Sequence, residues 1–282
     1  LDIKRVFTDK KPGMARLIPG FVYLYLRRIV HEDELNDILF QTRDKFGFEF
    51  VSDVLKRMNA DIRVHGLENI PVAGRQILVS NHPLGGFDGM ALMDMIGKVR
   101  NDFYALTNDI LLSLPNLREL FVPVNKHGTN QENVIILNKA FESDNLIMIF
   151  PAGLVSRKID GKIQDLEWKN TFLARARRNQ RDIIPVFVDG NNSKWFYNLA
   201  YWRKKIGIKA NLEMFFLVDE LVKQKNKTLN IYVSKPVPYC FFDNRLKSND
   251  WISAIRGFVY QLKENPLITF EEYFIKKYKS NS

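Results

Sequence analysis

His82 and Asp88 stand six positions apart in the stretch LVSNHPLGGFDGMA (residues 78–91), with Gly85-Gly86 between them. A neutral imidazole acts as a general base near physiological pH, and a neighbouring carboxylate fixes its tautomer and supports the imidazolium that forms. A purely structural reading also exists: Asp is a favoured N-cap, a double glycine makes a turn, and a histidine there is exposed. It leaves unexplained why Asn81, His82, Pro83 and Asp88 crowd one strand end.

Other chemistries are less well served. No Gly-x-Ser-x-Gly elbow occurs, and Ser80 reads as a strand-end hydroxyl, so nucleophilic catalysis is the weaker expectation. His31, His65 and His127 stand apart without ligand spacing, so no metal site is expected. The single cysteine, Cys240 in VPYCFF, excludes an internal disulfide framework and suits a reducing compartment; its apolar context predicts an inert core thiol.

The elements that would position His82 follow from the apolar pattern. Residues 1–60 carry helical spacing, as in Phe21, Leu24, Tyr25 and Ile29, then Phe50, Val54, Leu55 and Met58. From residue 61 onward short strand candidates appear at Asp61–Val64, Gln76–Ser80, Phe103–Leu106, Phe121–Val124, Asn145–Phe150, Ile183–Val188 and Leu229–Val233. Helical candidates fall at 89–98, 109–119, 130–143, 168–179, 192–204 and 211–224. Alternation of this kind predicts an α/β fold, with a mixed, largely parallel sheet flanked by helices. The expected organisation is a helical N-terminal section over 1–60 and an α/β domain over 61–282, forming one structural unit. Asp160-Gly161 is a turn signal that closes a small excursion between Arg157 and Lys162.

The chain of 282 residues is 46% hydrophobic, ample for a sizeable core, and its net charge of +10 favours an anionic partner. No apolar run reaches the roughly 18–20 residues needed to span a bilayer; Leu17–Leu26 is stopped by Arg27-Arg28. The opening LDIKRVFTDKKPGMARL mixes charges throughout, so no signal peptide is expected and the reading is cytoplasmic, at a membrane surface. Residues 194–209 combine Trp195, Phe196, Tyr197, Tyr201 and Trp202 with Lys194, Arg203, Lys204, Lys205 and Lys209. Trp195, Leu199, Trp202 and Ile206 share a helical face, which serves either core packing or attachment to a bilayer interface. Nucleic acid is not an expected partner, because no helix-turn-helix, aromatic RNA-binding strand or zinc module accompanies the charge.

Asn-His followed closely by Asp after a hydrophobic strand resembles the first signature of the glycerolipid acyltransferase superfamily, typified by 1-acylglycerol-3-phosphate acyltransferases. Further blocks occur in that family's order: VHGLENIP at 64–71, LFVPVN at 120–125, FPAG at 150–153 and IIPVFV at 183–188. The similarity spans roughly residues 60–240. Three departures stand out. Five residues, not four, separate His82 from Asp88; Ala152 stands where the family has Glu; and the arginine of the second block is absent, with Asn125-Lys126 nearby. NHPLGGFDG with FPAGLVSRK is similar to the branch often labelled hemolysin, which includes O-acyltransferases of bacterial ornithine and glycine lipids.

The resemblance implies an enzyme that moves a fatty acyl chain from acyl carrier protein or acyl-CoA to a hydroxyl of a lysolipid or aminolipid, at the cytoplasmic face of the inner membrane. His82 would be the general base and Asp88 its orienting partner, with no cofactor beyond the acyl-donor substrate. Gly85, Gly86, Asn125, Lys126, Gly153, Ser156 and Arg157 are the expected substrate-binding positions. The Gly153 backbone, the Ser156 and Lys158 side chains and, best suited, the forked guanidinium of Arg157 would hold an anionic headgroup or a carrier phosphate. The alternative is a non-catalytic lipid-binding or membrane-perturbing protein on the same scaffold.

Overall fold

A computed structural model describes residues 19–107, 111–124, 131–207 and 212–279, with isolated positions before residue 19. In the N-terminal section it contains helices α1 (Gly20–Ile29), α2 (Glu32–Gln41) and α3 (Gly47–Arg57). There follow β1 (Asp61–His65), β2 (Gln76–Ser80), α4 (Gly86–Gly97), β3 (Phe103–Thr107), β4 (Phe121–Pro123), α5 (Gln131–Glu142) and β5 (Leu146–Ile149). The remainder is β6 (Arg157–Ile159), β7 (Lys162–Gln164), α6 (Thr171–Asn179), β8 (Asp182–Asp189), α7 (Lys194–Lys205), α8 (Leu217–Val222), β9 (Thr228–Val233), α9 (Ser248–Gln261) and α10 (Phe270–Phe274).

Among the described residues the main sheet has the order β1-β9-β8-β2-β5-β3-β4. Strands β8, β2, β5, β3 and β4 run parallel to one another, whereas β9 is antiparallel to β8 and parallel to β1. The sheet is therefore mixed and largely parallel, as the alternating elements predict. At its centre β2 is buried along its whole length, which accounts for the uninterrupted apolar run ILV.

Successive side chains of these central strands point to opposite faces, and two apolar layers result. Leu78, Met148, Ile184 and Val186 face a layer that includes Phe50, Val51 and Val54 of α3 and Ala91, Leu92 and Met95 of α4. Ile77, Val79, Ile147, Ile149 and Ile183 face the other, built on Phe172 of α6 and Trp251, Ile255 and Phe258 of α9. Helix α4 is apolar around nearly its whole circumference because it is packed on several sides. The N-terminal section is thus not a separate body, since α3 contributes directly to the core.

Two local expectations change. The segment expected to be helical over 109–119 contains short 3-10 turns at Leu111–Ser113 and Pro115–Leu120; Pro115 has no N–H to continue a helix. Cys240 is exposed and free, not a core thiol, because it lies in a short 3-10 turn whose buried neighbour is Phe242. Of the stripe read at 194–209, Trp195 and Trp202 of α7 and Ile206 just beyond it are exposed, while Phe196, Tyr197 and Ala200 are buried. The Asp160-Gly161 turn is present as expected, with both residues at positive φ, closing the β6–β7 hairpin.

Candidate active site

The carboxyl ends of β2, β5 and β8 lie side by side at the centre of the sheet, the usual place for ligands in parallel α/β folds. Each end contributes a part. From β2 the chain runs into Asn81, whose side-chain amide donates to the Val188 carbonyl at 2.9 Å and whose oxygen accepts the Val188 N–H at 2.7 Å. That two-way bond continues the β2–β8 pairing and aims the next residue, His82, out of the sheet. From β5 the chain supplies Phe150, whose ring stacks on the His82 imidazole at a centroid separation of 3.9 Å and an interplanar angle of 23°.

The NHPLGG segment then turns back on itself. Gly85 has φ 80° and ψ −123°, a conformation that side chains other than glycine's do not tolerate, and α4 starts at the next residue. Its first turn carries Asp88 beneath the imidazole: Asp88 Oδ1 lies 3.0 Å from His82 Nδ1, and Asp88 Oδ2 accepts the Leu84 N–H at 2.8 Å. Asp88 is fully buried and the His82 side chain is 17% exposed. With Nδ1 facing a carboxylate, a neutral ring places its proton on Nδ1 and leaves the Nε2 lone pair free.

The FPAG turn and the residues after it behave differently from expectation. Gly153 sits in a left-handed turn at φ 66°, closed by its N–H to the Phe150 carbonyl at 3.0 Å, so the turn fixes the ring that stacks on His82. Ser156 and Arg157, expected to hold an anion, point inward. Ser156 is buried and its hydroxyl donates to Asp165 Oδ1 at 2.6 Å. Arg157 is buried beside Glu213, 3.0 Å from its carboxylate, and donates to the Val155 carbonyl at 2.7 Å. Burial pushes its guanidinium below the ordinary arginine range, against the pull of Glu213. Arg203 pairs with the same Glu213 at 2.8 Å. The Ser156 hydroxyl and these Arg157 N–H groups are thus bonded to partners within the protein. Asn125 and Lys126 lie outside the described residues.

Sequence reasoning missed Asp165, Glu213 and Asn192. Asn192, just after β8, donates to the Pro83 carbonyl at 3.0 Å and so ties that loop to the histidine turn. Asp165 closes the β6–β7 hairpin onto His82 itself, accepting the His82 N–H at 3.1 Å. None belongs to a local signature; each acts on residues far away in sequence.

A family model described as acyltransferase matches residues 5–266. The chain belongs to the acyltransferase family. It is similar to a lyso-glycine lipid O-acyltransferase of Phocaeicola vulgatus, at 40% identity over 93% of this chain and 95% of that protein. The lyso-glycine lipid O-acyltransferase of Bacteroides thetaiotaomicron is likewise 40% identical, over 93% of this chain and 97% of its own. Among solved structures, this acyltransferase matches the 1-acyl-sn-glycerophosphate (LPA) acyltransferase PlsC from Thermotoga maritima, with 18% identity, TM-score 0.46, and coverage of 85% of this chain and 95% of that one.

Proposed function

We propose that this acyltransferase transfers a fatty acyl chain from a thioester, carried by acyl carrier protein or coenzyme A, to the hydroxyl of a lyso-glycine lipid or a similar aminolipid. The observation that carries this reading is the His82–Asp88 pair, held at 3.0 Å at the carboxyl end of the central strand, in a chain 40% identical to enzymes named for that acceptor. In this mechanism His82 Nε2 removes the acceptor's hydroxyl proton as the oxygen attacks the thioester carbonyl. A C–O ester bond forms, the C–S bond breaks, and the proton passes from the imidazolium to the departing thiolate. Asp88 keeps Nδ1 protonated and supports the transient positive charge.

The glycines have backbone parts: Gly85 permits the turn, Gly86 opens α4, and Gly153 sets the Phe150 ring. Asn125 and Lys126 keep the acceptor-side role given by their sequence position. The non-catalytic alternative does not suit a member of the acyltransferase family with an intact base and acid pair.

The same reading puts the enzyme on a membrane surface. Supporting it, Trp195 (48%), Trp202 (55%) and Ile206 (67%) on α7 and Phe21 (72%) and Leu24 (67%) on α1 are exposed. Arg27 and Arg28 flank the second group, Lys194 and Lys205 the first. A cleft lined by Tyr25, Arg28, Trp195 and Phe216 joins the two patches. Aromatic side chains beside cations combine apolar insertion with attraction to anionic lipid. Among the described residues no helix is long and apolar enough to cross a membrane.

The test supplies purified protein with labelled acyl carrier protein or acyl-CoA, in separate arms, and with lyso-glycine lipid or lysophosphatidic acid. Formation of O-acylated glycine lipid is expected; acylation of lysophosphatidic acid alone overturns the acceptor assignment.

A further inference from the structure

Asp88 is not the only buried carboxylate on His82. Asp165 is fully buried and accepts three hydrogen bonds: from the His82 backbone N–H at 3.1 Å, the Ser156 hydroxyl at 2.6 Å and the Trp168 indole N–H at 2.8 Å. The His82 carbonyl is held as well, by the Ser156 N–H at 2.8 Å. The catalytic histidine is therefore gripped through both of its backbone polar groups by the two residues that flank the β6–β7 hairpin, and those two are bonded to each other.

We infer that Asp165 is a positioning residue for the acyl-transfer reaction, clamping the His82 backbone and adding a second negative charge near the imidazole. The inference rests on His82 being the base. Each of the three donors it accepts favours the ionised form of the carboxyl. The groups facing it agree. From α9, Arg256 donates to the Asp165 carbonyl at 2.7 Å, and the Tyr260 hydroxyl accepts the Asp165 N–H at 2.8 Å. Burial drives the Tyr260 phenol upward, so it stays neutral. Asp88, from α4, is the other charged group on the imidazole. Burial also pushes the Asp165 carboxyl upward, while Ser156, Trp168 and His82 pull it back. A buried carboxylate is costly to desolvate, and an ordinary hairpin staple does not need one.

The clamp matters because a base displaced by about 1 Å loses on the order of 10² in rate. The charge matters because it favours the imidazolium, so its loss shifts the rate profile in a known direction.

The experiment measures acyl-transfer kinetics against pH for the native enzyme, Asp165→Asn and Asp165→Asn/Trp168→Phe, with His82→Ala alongside. The double variant removes the indole N–H that the new amide would oppose, so it preserves a folded protein should the single variant not fold. The expected result in a folded variant is kcat reduced roughly 10²-fold, KM for both substrates within about threefold, and the acidic limb of kcat/KM moved to lower pH. An unchanged kcat, or a lower kcat with the acidic limb in place, overturns the inference. If His82→Ala retains the native rate, the base assignment itself fails; if His82→Ala is inactive while the Asp165 variants are native-like, only the clamp fails.

Discussion

The Nδ1 atom of His82 lies 3.0 Å from Asp88 Oδ1, and the second oxygen of the same buried carboxylate accepts the Leu84 N–H at 2.8 Å. One side chain thus orients the imidazole and closes the turn that presents it. Asp88→Asn keeps the shape but offers an amide that can turn either its oxygen or its nitrogen to the ring, so the productive tautomer is no longer enforced. The expected outcome is a fall in kcat of roughly 10²–10⁴ with KM little changed. Steady-state kinetics check it, with circular dichroism to confirm the fold.

Gly85 carries the unusual backbone of that turn. At φ 80° a Cβ is strained whatever the space, and it would also meet Leu217 and Val155 at 3.4–3.5 Å. Gly85→Ala is expected to destabilise the protein by about 1–3 kcal/mol and to reduce activity beyond what the stability loss explains. Gly161→Ala, also at positive φ but with open space around it, serves as the control and should leave activity intact.

The exposed stripe of α7 is expected to bind bilayers. Replacing Trp195, Trp202 and Ile206 together with Ser should abolish sedimentation with vesicles containing anionic lipid, and leave the melting temperature within a few degrees. Binding that survives the triple substitution shows that another surface attaches the enzyme.

Acid sensitivity is expected at the Arg100–Asp102 pair. The Arg100 side chain is buried and grips Asp102 through both oxygens at 2.8 and 2.6 Å, holding its carboxyl below the usual range. A carboxyl lowered on folding contributes stability above its unfolded pKa, and that contribution is lost as pH falls through the folded value. Asp102 is about half exposed, so solvent screening limits the effect. Asp102→Asn should lower stability near neutrality by about 1 kcal/mol and flatten the decline below roughly pH 4. Urea denaturation at several pH values checks both.

Much of the site's frame was legible in the sequence, and the reason is local. The run QILVS reads as a strand because it is a central one with both faces covered. Gly85-Gly86 followed by Asp88 reads as a turn into a helix because backbone freedom and capping are short-range effects. Arg157 shows where local reading ends: its type suits a phosphate, but its partner Glu213 comes from 56 positions later. Asp165 was equally hidden, since it acts on a histidine 83 positions earlier. Helix α9 lies beyond the expected helices, which ended at 224, although its buried Trp251, Ile255 and Phe258 repeat at helical spacing.

The most direct test of the account is the rate of labelled acyl transfer from a thioester to lyso-glycine lipid by the native enzyme and by His82→Ala. The account predicts a loss of roughly 10²–10⁴ in kcat with the fold and vesicle binding retained. Undiminished transfer by the alanine variant contradicts it.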